Sequence, residues 1–495
     1  MTVTLSSENT VQRLLIDGTW QQAADVHTYA AHDPFTGEVA SRAAAAVPAE
    51  VVRAVEAAER AFPTWAALAA NERRRVLWTV GERLEARADE MAAAITAETG
   101  GPAGWGRHNA SVLAERFRHA ASAVHEALTG EVIPSEIPGR TSIAIRKPVG
   151  VVACVIPWNA PALLVGNSVP NALAVGNTVV MKASEQTPRT HGLMAECLTE
   201  AGLPAGVYNL VTNAPENAPE VVDALIAHPA VRRVHFTGST LVGRIIAERT
   251  AALMKKAILE LGGKAPVLVL ADADLDQAVS ASAFGAFTHS GQGFLSTERI
   301  IVDRAVADEF NRRLALLATT VPFGDPLDPH AVLGPVVGSD TISRLSDLVR
   351  EAVAAGARLL AGGTPDGPCF APTVLTGVTP DMRIYREESF GPLVTVITVD
   401  GPEEALRVAN DNDYGLASAV FTRNIPLAID LAQRINAGRC HIYGTTLDAD
   451  PPTPFGGARN SGYGKPGGRV GLQEFTQLQW ITIEGPQPPR HPDAE

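Results

Sequence analysis

Apolar, β-branched runs alternate with helical stretches through the middle of the chain. Residues 149–156 form a nearly continuous apolar run that ends at Pro157, as expected of a strand buried on both faces of a parallel sheet. Runs of the same character cover residues 178–182, 206–211 and 233–236, and helical patterns cover residues 190–202 and 218–228. Strand alternating with helix predicts a doubly wound α/β domain.

The part of the chain before this domain is mainly helical. Apolar residues recur at helical spacing from residue 49 to residue 65, and the pattern resumes over residues 72–99. Pro63 marks a predicted break between the two stretches. These apolar stripes predict packing in a core rather than a cofactor site.

The alternation of strand and helix restarts after Glu260. Strands are predicted at residues 266–270, 299–302 and 393–397, and helices at residues 275–287 and 306–319. Residues 142–147 and 478–483 alternate between apolar and polar, and the second stretch has no evident partner inside the chain. We predict that these two stretches form an arm that adds to the sheet of another subunit.

Composition and charge narrow the class of protein. The chain has 495 residues, which predicts two or three domains, and its 46% hydrophobic and 19% charged residues are typical of a globular protein. Its net charge of −13 argues against nucleic acid or an anionic membrane as a partner. Residues 1–9 show no secretory signal, and the cysteines Cys154, Cys197, Cys369 and Cys440 show no metal-ligand spacing. Cys154 and Cys440 are expected in buried strands. A cytoplasmic protein with reduced thiols and no metal is therefore expected.

The turn after the first buried strand carries a candidate for carbonyl chemistry. It contains Pro157-Trp158-Asn159-Ala160-Pro161, so the strand delivers the amide of Asn159 to the edge of the sheet. An oriented amide donor stabilises a carbonyl oxygen as it becomes negative. The competing interpretation is a helix cap or a turn residue.

The ends of two later strands are suited to a dinucleotide. Lys182 and Glu185 follow one strand, and Glu185 can accept both hydrogen bonds of a ribose 2′,3′-diol, which favours NAD over NADP. Gly238 and Ser239 open a helix after another strand, where free backbone N–H groups can bind a pyrophosphate. The alternative interpretation of each motif involves no ligand: Lys182 and Glu185 would be a solvated pair, and Gly238 would serve only the turn.

These motifs occur in order with several others across nearly the whole chain, from about Leu15 to Glu484. The others are Leu259-Glu260-Leu261-Gly262-Gly263-Lys264, His289-Ser290-Gly291-Gln292-Gly293-Phe294, Glu387-Glu388-Ser389-Phe390-Gly391-Pro392, Pro454-Phe455-Gly456-Gly457 and Ser461-Gly462-Tyr463-Gly464. The set resembles the aldehyde dehydrogenase superfamily. Residues 188–191, 296–300 and 474–476 resemble the branch that acts on benzaldehyde, salicylaldehyde or vanillin.

The resemblance implies a fold, a cofactor and a set of site residues. It implies an α/β fold with an NAD(P)-binding domain at 1–130 and 152–259, a catalytic domain at 260–440, and an oligomerisation arm at 131–151 and 471–489 of a homodimer or homotetramer. Glu260 would be the base, and Asn159 with the backbone N–H of residue 294 would bind the oxyanion. Phe455 and Tyr443 would contact a small, possibly aromatic substrate, although the family usually has Asn where Tyr443 occurs. NAD, with NADP possible, would contact Ile156, Trp158, Lys182, Glu185, Gly238, Ser239, Gly243, Leu261, Glu388 and Phe390.

The chain departs from the family pattern at the nucleophile. Where the family has Gly-Gln, any residue, then Cys, Gly291-Gln292-Gly293 is followed by Phe294. Phenylalanine cannot form the covalent thiol intermediate that divides one hard step into two. Gly293, Phe294 and Leu295 depart together, which favours natural divergence over a single designed replacement.

Three hypotheses follow from this departure. In the first, which we favour, the chain transfers hydride without a covalent intermediate, to or from an aldehyde, an imine or a polarised double bond, with Glu260 as acid or base. In the second, it is a pseudoenzyme that binds nucleotide or a partner. In the third, it is an aldehyde dehydrogenase whose cysteine was deliberately replaced. Retention of Asn159, Glu260 and Glu388 together is the reason for favouring the first.

Overall fold

The computed structural model describes residues 11–485. Residues 1–9, in which no secretory signal is expected, and residues 486–489 at the end of the predicted arm lie outside the described residues. The described chain forms a mixed α/β fold with two large sheets, as the sequence predicts. Over residues 11–485, no helix combines the length and the apolar character needed to cross a membrane.

The strands follow the apolar runs, and the helices follow the stretches with helical spacing. The strands are β1 (Val11–Gln12), β2 (Leu14–Ile16), β3 (Thr19–Gln21), β4 (Thr28–His32), β5 (Val39–Ala44), β6 (Glu131–Ile133), β7 (Arg140–Pro148), β8 (Val151–Val155), β9 (Thr178–Lys182), β10 (Tyr208–Val211), β11 (Val231–Thr237), β12 (Lys256–Glu260), β13 (Ala265–Val269), β14 (Thr297–Asp303), β15 (Arg358–Ala361), β16 (Pro365–Asp366), β17 (Cys369–Phe370), β18 (Thr373–Thr376), β19 (Leu393–Val399), β20 (Ala417–Phe421), β21 (Arg439–Ile442), β22 (Gly462–Tyr463) and β23 (Thr476–Glu484). The helices are α1 (Pro48–Ala67), α2 (Ala70–Ala86), α3 (Ala88–Thr99), α4 (Ala103–Ala127), α5 (Pro161–Val165), α6 (Val169–Ala174), α7 (Pro188–Glu200), α8 (Ala218–Ala227), α9 (Thr240–Ala252), α10 (Leu275–Phe287), α11 (Arg304–Thr320), α12 (Ser339–Ala354), α13 (Arg383–Arg386), α14 (Gly401–Asn410), α15 (Ile425–Arg434) and α16 (Gly468–Glu474).

The first large sheet has eight strands in the order β22-β12-β11-β8-β9-β10-β2-β3. Strands β12, β11, β8, β9 and β10 are parallel, and β8 and β9 are buried along their whole length. The strand order reverses between β8 and β11, since β9 and β10 extend to one side and β12 to the other. Ligands of open α/β sheets bind at the carboxyl ends of the strands at such a reversal. Residues 156–159 and 238–239 follow these two strand ends.

The second large sheet has seven strands in the order β15-β18-β19-β14-β13-β20-β21. Residues 261–264 connect it to the first sheet, because β12 ends at Glu260 and β13 begins at Ala265. The predicted domain boundaries are compatible with this division but stay a prediction. Cys440, which we expected in a buried strand, lies in the edge strand β21 and is only half-buried. An edge strand has a neighbour on one side only, which explains its partial exposure.

The two alternating stretches pair with each other. Strand β23 runs antiparallel to β7 from the pair Thr476–Pro148 to the pair Glu484–Arg140, and β6 adds to the other side of β7. The expectation that the carboxy-terminal stretch lacks a partner inside the chain is therefore wrong. Residues 477–484 of β23 stay exposed, among them the apolar Leu478, Trp480 and Ile483. Addition of this arm to another subunit stays a prediction.

The amino-terminal helices correct a second expectation. Helix α1 continues through Pro63 to Ala67, so the chain breaks four residues later than predicted. A proline inside a helix leaves the carbonyl four residues earlier without its partner. That carbonyl belongs to Glu59, an exposed residue, so water can replace the lost hydrogen bond. The long helix α4, for which no pattern was identified, packs against α2 and α3.

Candidate active site

Close backbone approaches bring three of the sequence motifs together. A Cβ atom on Gly263 would lie 2.2 Å from the carbonyl oxygen of Phe294, and one on Gly262 would lie 2.5 Å from Oε2 of Glu388. A Cβ on Gly291 would lie 2.0 Å from the carbonyl oxygen of Gly391. Glycine is required at residues 263 and 291 because a side chain would collide with backbone, whereas a side chain at residue 262 would displace the carboxylate of Glu388. The motifs around Glu260, Phe294 and Glu388 therefore border one site.

Glu260 ends β12 and its side chain is fully buried. The Nδ2 atom of Asn167 donates to both carboxylate oxygens, at 3.0 and 2.9 Å, and the hydroxyl of Thr237 donates at 3.1 Å. The Nε2 atom of His235 lies 3.6 Å from Oε1 of Glu260, and neither ring nitrogen has a hydrogen-bond partner. Sequence reasoning missed these three neighbours. The signal available for Asn167 and His235 was a polar residue inside an otherwise apolar run.

Phe294 lies in the loop of residues 292–296, called here the 292–296 loop. Its ring packs edge to face with Phe455, with ring centroids 6.4 Å apart. Nδ2 of Asn159 donates to the carbonyl of Gln292 at 2.8 Å, and Oε1 of Gln292 accepts from the backbone of Val337 at 2.8 Å. The loop is thus fixed by backbone and amide contacts that do not involve the side chain at residue 294.

A cavity of about 750 Å³ opens beside this loop. Asn159, Phe294 and Phe455 line it, as the sequence predicts, whereas Glu260 is not among its lining residues. Trp105 and His289 form part of the wall, with their rings stacked at a centroid distance of 4.7 Å. Burial lowers the pKa of His289 to about 3, so this ring is neutral at physiological pH. The volume falls in the range of small-molecule sites.

No cysteine lines this cavity, and all four cysteines of the chain belong to the described residues. Burial raises the pKa of Cys154 to about 12 and the pKa values of Cys197 and Cys369 to about 11. Burial also raises the pKa of Cys440. Thiols with raised pKa values are weak nucleophiles because the thiolate is the reactive form.

The dinucleotide motifs lie at the carboxyl ends of their strands. Lys182 at the end of β9 forms an ion pair with Glu185, which also accepts from Nδ2 of Asn213 at 3.0 Å. Burial lowers the pKa of Lys182. Ser239 caps α9, and its hydroxyl accepts from the backbone N–H of Val242.

Two glycines keep the turn between β11 and α9 narrow. A Cβ on Gly238 would lie 2.4 Å from the ring of Phe236, and one on Gly243 would lie 2.4 Å from a methyl carbon of Leu261. Gly238 adds no side chain at the start of α9, where backbone N–H groups can bind an anion. This geometry fits a pyrophosphate.

Glu388 and Phe390 lie on the loop of residues 387–391, called here the 387–391 loop. Oε1 of Glu388 accepts from the backbone of Gly263 at 2.7 Å, and burial, assisted by the charge of Glu298, raises the pKa of Glu388 to about 8. The buried carboxylate of Glu298 accepts from the backbone N–H groups of Ser389 and Phe390 and pairs with Lys264. Sequence reasoning assigned no role to this buried pair, which fixes the loop.

The remaining predicted residues divide into two groups. Ile156 and Leu261 are buried, and Trp158 contacts the ring of Phe390 edge to face at 6.1 Å, so Trp158 lies beside one of the cofactor motifs. Tyr443 is not among the residues that line the cavity. It packs on Phe421 and lines a shallower outer pocket, because a backbone φ of 60° turns it away after β21.

Known proteins match the chain over nearly its whole length. The model of the aldehyde dehydrogenase family matches residues 20–481. A vanillin dehydrogenase of Pseudomonas fluorescens is 49% identical over 478 residues, which cover 97% of this chain and 98% of the relative. A crystal structure of a salicylaldehyde dehydrogenase from Pseudomonas putida G7, complexed with salicylaldehyde, has a TM-score of 0.95 at 41% identity, covering 97% and 99% of the two chains.

A third protein, an NAD-dependent aldehyde dehydrogenase from Sinorhizobium meliloti, has a TM-score of 0.93 at 36% identity, covering 97% of this chain and 96% of that one. The similarity therefore extends over both large sheets and the site between them. With its fold, its motifs and its relatives in agreement, the chain belongs to the aldehyde dehydrogenase family.

Proposed function

We propose that the chain catalyses NAD-dependent oxidoreduction of aromatic aldehydes by hydride transfer without a covalent thiol intermediate. The main observation behind this proposal is the composition of the cavity wall. Phe294 lies where the family pattern has cysteine, and no cysteine lines the cavity. The rest of the predicted machinery is retained around that wall.

As a member of the family, the chain is an oxidoreductase, and its cofactor is NAD, with NADP possible. We propose that the Lys182–Glu185 pair binds the adenosine ribose, that Ser239 and the start of α9 bind the pyrophosphate, and that Glu388 and Phe390 hold the nicotinamide ribose and ring. The cofactor, when bound, supplies or accepts a hydride. The narrow turn at Gly238 and the open helix terminus support this assignment.

The residues of the chain would polarise the substrate and move its proton. Asn159 lines the cavity, and its amide can donate to a carbonyl oxygen together with the backbone N–H of residue 294. Without a thiol, oxidation has to begin from the aldehyde hydrate, which already contains the second oxygen of the acid. Glu260 would accept the proton of the hydrate, or donate a proton to the alkoxide in the reductive direction. Because its carboxylate faces Asn167 and Thr237, this role requires rotation of the side chain towards the cavity.

The walls of the cavity support an aromatic substrate. Trp105, Phe287, Phe294 and Phe455 all line it. A flat ring can pack on such walls by offset or edge-to-face contacts worth about 0.5–1.5 kcal/mol each. The relatives named above as vanillin and salicylaldehyde dehydrogenases support the same class of substrate.

One observation favours a second candidate, a nucleotide-binding protein that turns nothing over. The side chain of Glu260 is fully buried, and its carboxylate accepts hydrogen bonds from neighbouring residues. It does not line the cavity, so in this arrangement it cannot transfer a proton to a substrate there. Nicotinamide absorbance, followed in both directions with benzaldehyde, vanillin and salicylaldehyde, separates the two candidates. Turnover supports the oxidoreductase. Dinucleotide binding by calorimetry with no turnover for any aldehyde would replace it with the binding protein.

We propose also that the chain works in the cytoplasm as a homodimer or homotetramer assembled through the arm. The exposed apolar side chains of Leu478, Trp480 and Ile483 on β23 support assembly. Sedimentation of the intact protein measures the oligomeric state. A monomer at micromolar concentration contradicts this part of the proposal.

A further inference from the structure

Arg116 is a buried cation in the cavity wall with no partner of its own. It lies on α4, its residue is 5% exposed, and it lines the cavity beside Asn159 and Phe294. Its Nε atom is buried without a hydrogen-bond partner, and the guanidinium forms no ion pair with a described residue. Buried charges in proteins are normally paired, so an unpaired cation in the wall of a binding cavity favours an anionic ligand.

The surroundings hold this guanidinium in place without neutralising it. The carboxylates of Glu260, Glu115 and Asp450 act on it from a distance, but none lies within ion-pairing range. Burial lowers the pKa of Arg116. The side-chain stem crosses Gly166, where a Cβ atom would lie 2.4 Å from its Cδ atom. The position of the cation therefore depends on the absence of a side chain at residue 166.

A second arginine beside the cavity adds to the positive charge. The guanidinium of Arg439 lies 4.6 Å from the centroid of the Phe455 ring, and its Nη1 atom donates to the carbonyl of Asp448 at 2.8 Å. Its Nη2 atom is buried and has no partner. Burial, together with the charge of Arg116, lowers the pKa of Arg439 to about 10. Two poorly solvated cations that repel each other are both stabilised by one anion placed between apolar walls.

We propose that Arg116 binds the carboxylate of an aromatic ligand in this cavity, with Arg439 adding to the positive potential. The inference rests on the proposed function in that it takes the cavity to be the substrate site. Arginine suits this ligand because its planar guanidinium matches a carboxylate in two parallel hydrogen bonds. The carboxylate can come from two sources: a substituent on the ring of the substrate, or the acid group that aldehyde oxidation creates.

The experiment measures binding by calorimetry, so it does not depend on turnover. Benzoate is compared with benzamide, and 4-formylbenzoate with 4-formylbenzamide, each pair differing only in the charge of one group. We expect a carboxylate to bind about 10–100-fold more tightly than its amide, the range for a hydrogen bond to a charged group. A preference in the benzoate pair identifies the product acid. A preference confined to the 4-formyl pair identifies a ring substituent.

Variants separate the role of Arg116 from general electrostatics. Arg116→Gln removes the charge and is expected to abolish the preference, whereas Arg116→Lys keeps the charge and should restore part of it. Arg107→Gln is the matched control, since Arg107 lies on the same helix and lines the same cavity but is exposed to solvent. It should keep the preference.

Gly166→Ala is the second test, used because loss of a buried cation can impair folding. It keeps the arginine but moves its stem, so the preference should fall while the affinity for NAD is unchanged. Equal binding of acid and amide by the unaltered protein overturns the proposal, and so does an undiminished preference in Arg116→Gln. Either result leaves the proposed hydride transfer standing, whereas absence of turnover with an intact carboxylate preference counts only against that transfer.

Discussion

Two loops of the site differ in position and in the residues they present, since the 292–296 loop lines the cavity and no residue of the 387–391 loop does. The 387–391 loop is fixed by the buried Lys264–Glu298 pair and presents Glu388 and Phe390, the residues that the family pattern places at the nicotinamide. The 292–296 loop is fixed by Asn159 and by Val337 through Gln292, yet presents Phe294.

The hydrogen bonds given above for the 387–391 loop do not use the side chain of residue 294, and those of the 292–296 loop do not use Glu388 or Phe390. The loops still share a neighbour, because Gly263 donates to Glu388 and lies against the carbonyl of Phe294. We expect a change of the side chain at residue 294 to leave NAD binding unchanged, and the following predictions test this independence.

The largest effect is expected from Phe294→Cys. The new thiol would lie on the 292–296 loop beside Asn159, so aldehyde oxidation should rise at least about 10²-fold, which corresponds to nearly 3 kcal/mol of activation barrier. Steady-state absorbance measures the rise, and mass spectrometry should find an acyl group on the introduced thiol.

Two variants at the same position control this result. Phe294→Ser supplies a hydroxyl without an adjacent base and should produce no acyl-enzyme, and Phe294→Ala should weaken any non-covalent activity without creating a dehydrogenase. If the cysteine variant binds NAD but shows neither acylation nor turnover, the reaction half has changed in more than one side chain.

The second prediction concerns removal of the buried Lys264–Glu298 ion pair that fixes the 387–391 loop. Glu298→Gln leaves Lys264 buried without its counter-charge, and such a loss costs about 3–5 kcal/mol of stability. Urea unfolding measures this loss, and calorimetry should show weaker NAD binding because Ser389 and Phe390 lose charged acceptors. Asp400→Asn breaks the exposed pair with Arg304 and is the matched control. It should change neither quantity, and an equal fall in both variants contradicts the role of the buried pair.

The third prediction concerns Asn159→Ala, made in both the unaltered and the Phe294→Cys proteins. Loss of one oriented donor to the developing oxyanion should lower kcat about 10²–10³-fold. The affinity for NAD should not change, because Asn159 contacts the 292–296 loop and not the cofactor motifs. A matching loss of NAD affinity would show instead that Asn159 supports the whole site through Gln292.

The motifs of the site could be identified from the sequence, but the residues that form hydrogen bonds with them could not. Glu260, Phe294 and Glu388 could be placed together because strand ends of an α/β fold converge and the motifs occur in the family's order. Asn167 and Thr237, which hold Glu260, come from separate segments, and no periodic pattern reports a side-chain hydrogen bond over such a distance.

Some features depend on packing that a single sequence does not reveal. Arg116 lies on α4, for which no helix was predicted, and nothing in the pattern distinguishes a buried arginine from an exposed one. The position of Tyr443 depends on a left-handed backbone conformation that non-glycine residues adopt rarely. Helix α1 can continue through Pro63 because Glu59, whose carbonyl loses its hydrogen bond there, is exposed to water.

The last and smallest effect is a dependence of NAD binding on pH that comes from the 387–391 loop alone. Burial raises the pKa of Glu388 from 4.5 to about 8, so its carboxylate forms only in mildly alkaline solution. An ionised carboxylate is the better acceptor for ribose hydroxyls, so the affinity for NAD should rise about tenfold between about pH 7 and pH 9.

The stability of the fold should instead fall as pH rises. The folded protein holds this proton more tightly than the unfolded chain, so the contribution of Glu388 is complete below its ordinary pKa, declines as pH rises towards 8, and is constant above that. Glu388→Gln resembles the protonated form at every pH and should remove both trends, and Phe294→Cys should leave both unchanged. Calorimetry and urea unfolding across this pH range measure the two quantities. An affinity that rises with pH in Glu388→Gln as well would assign the titration to another group, and the 387–391 loop would then not act independently of its surroundings.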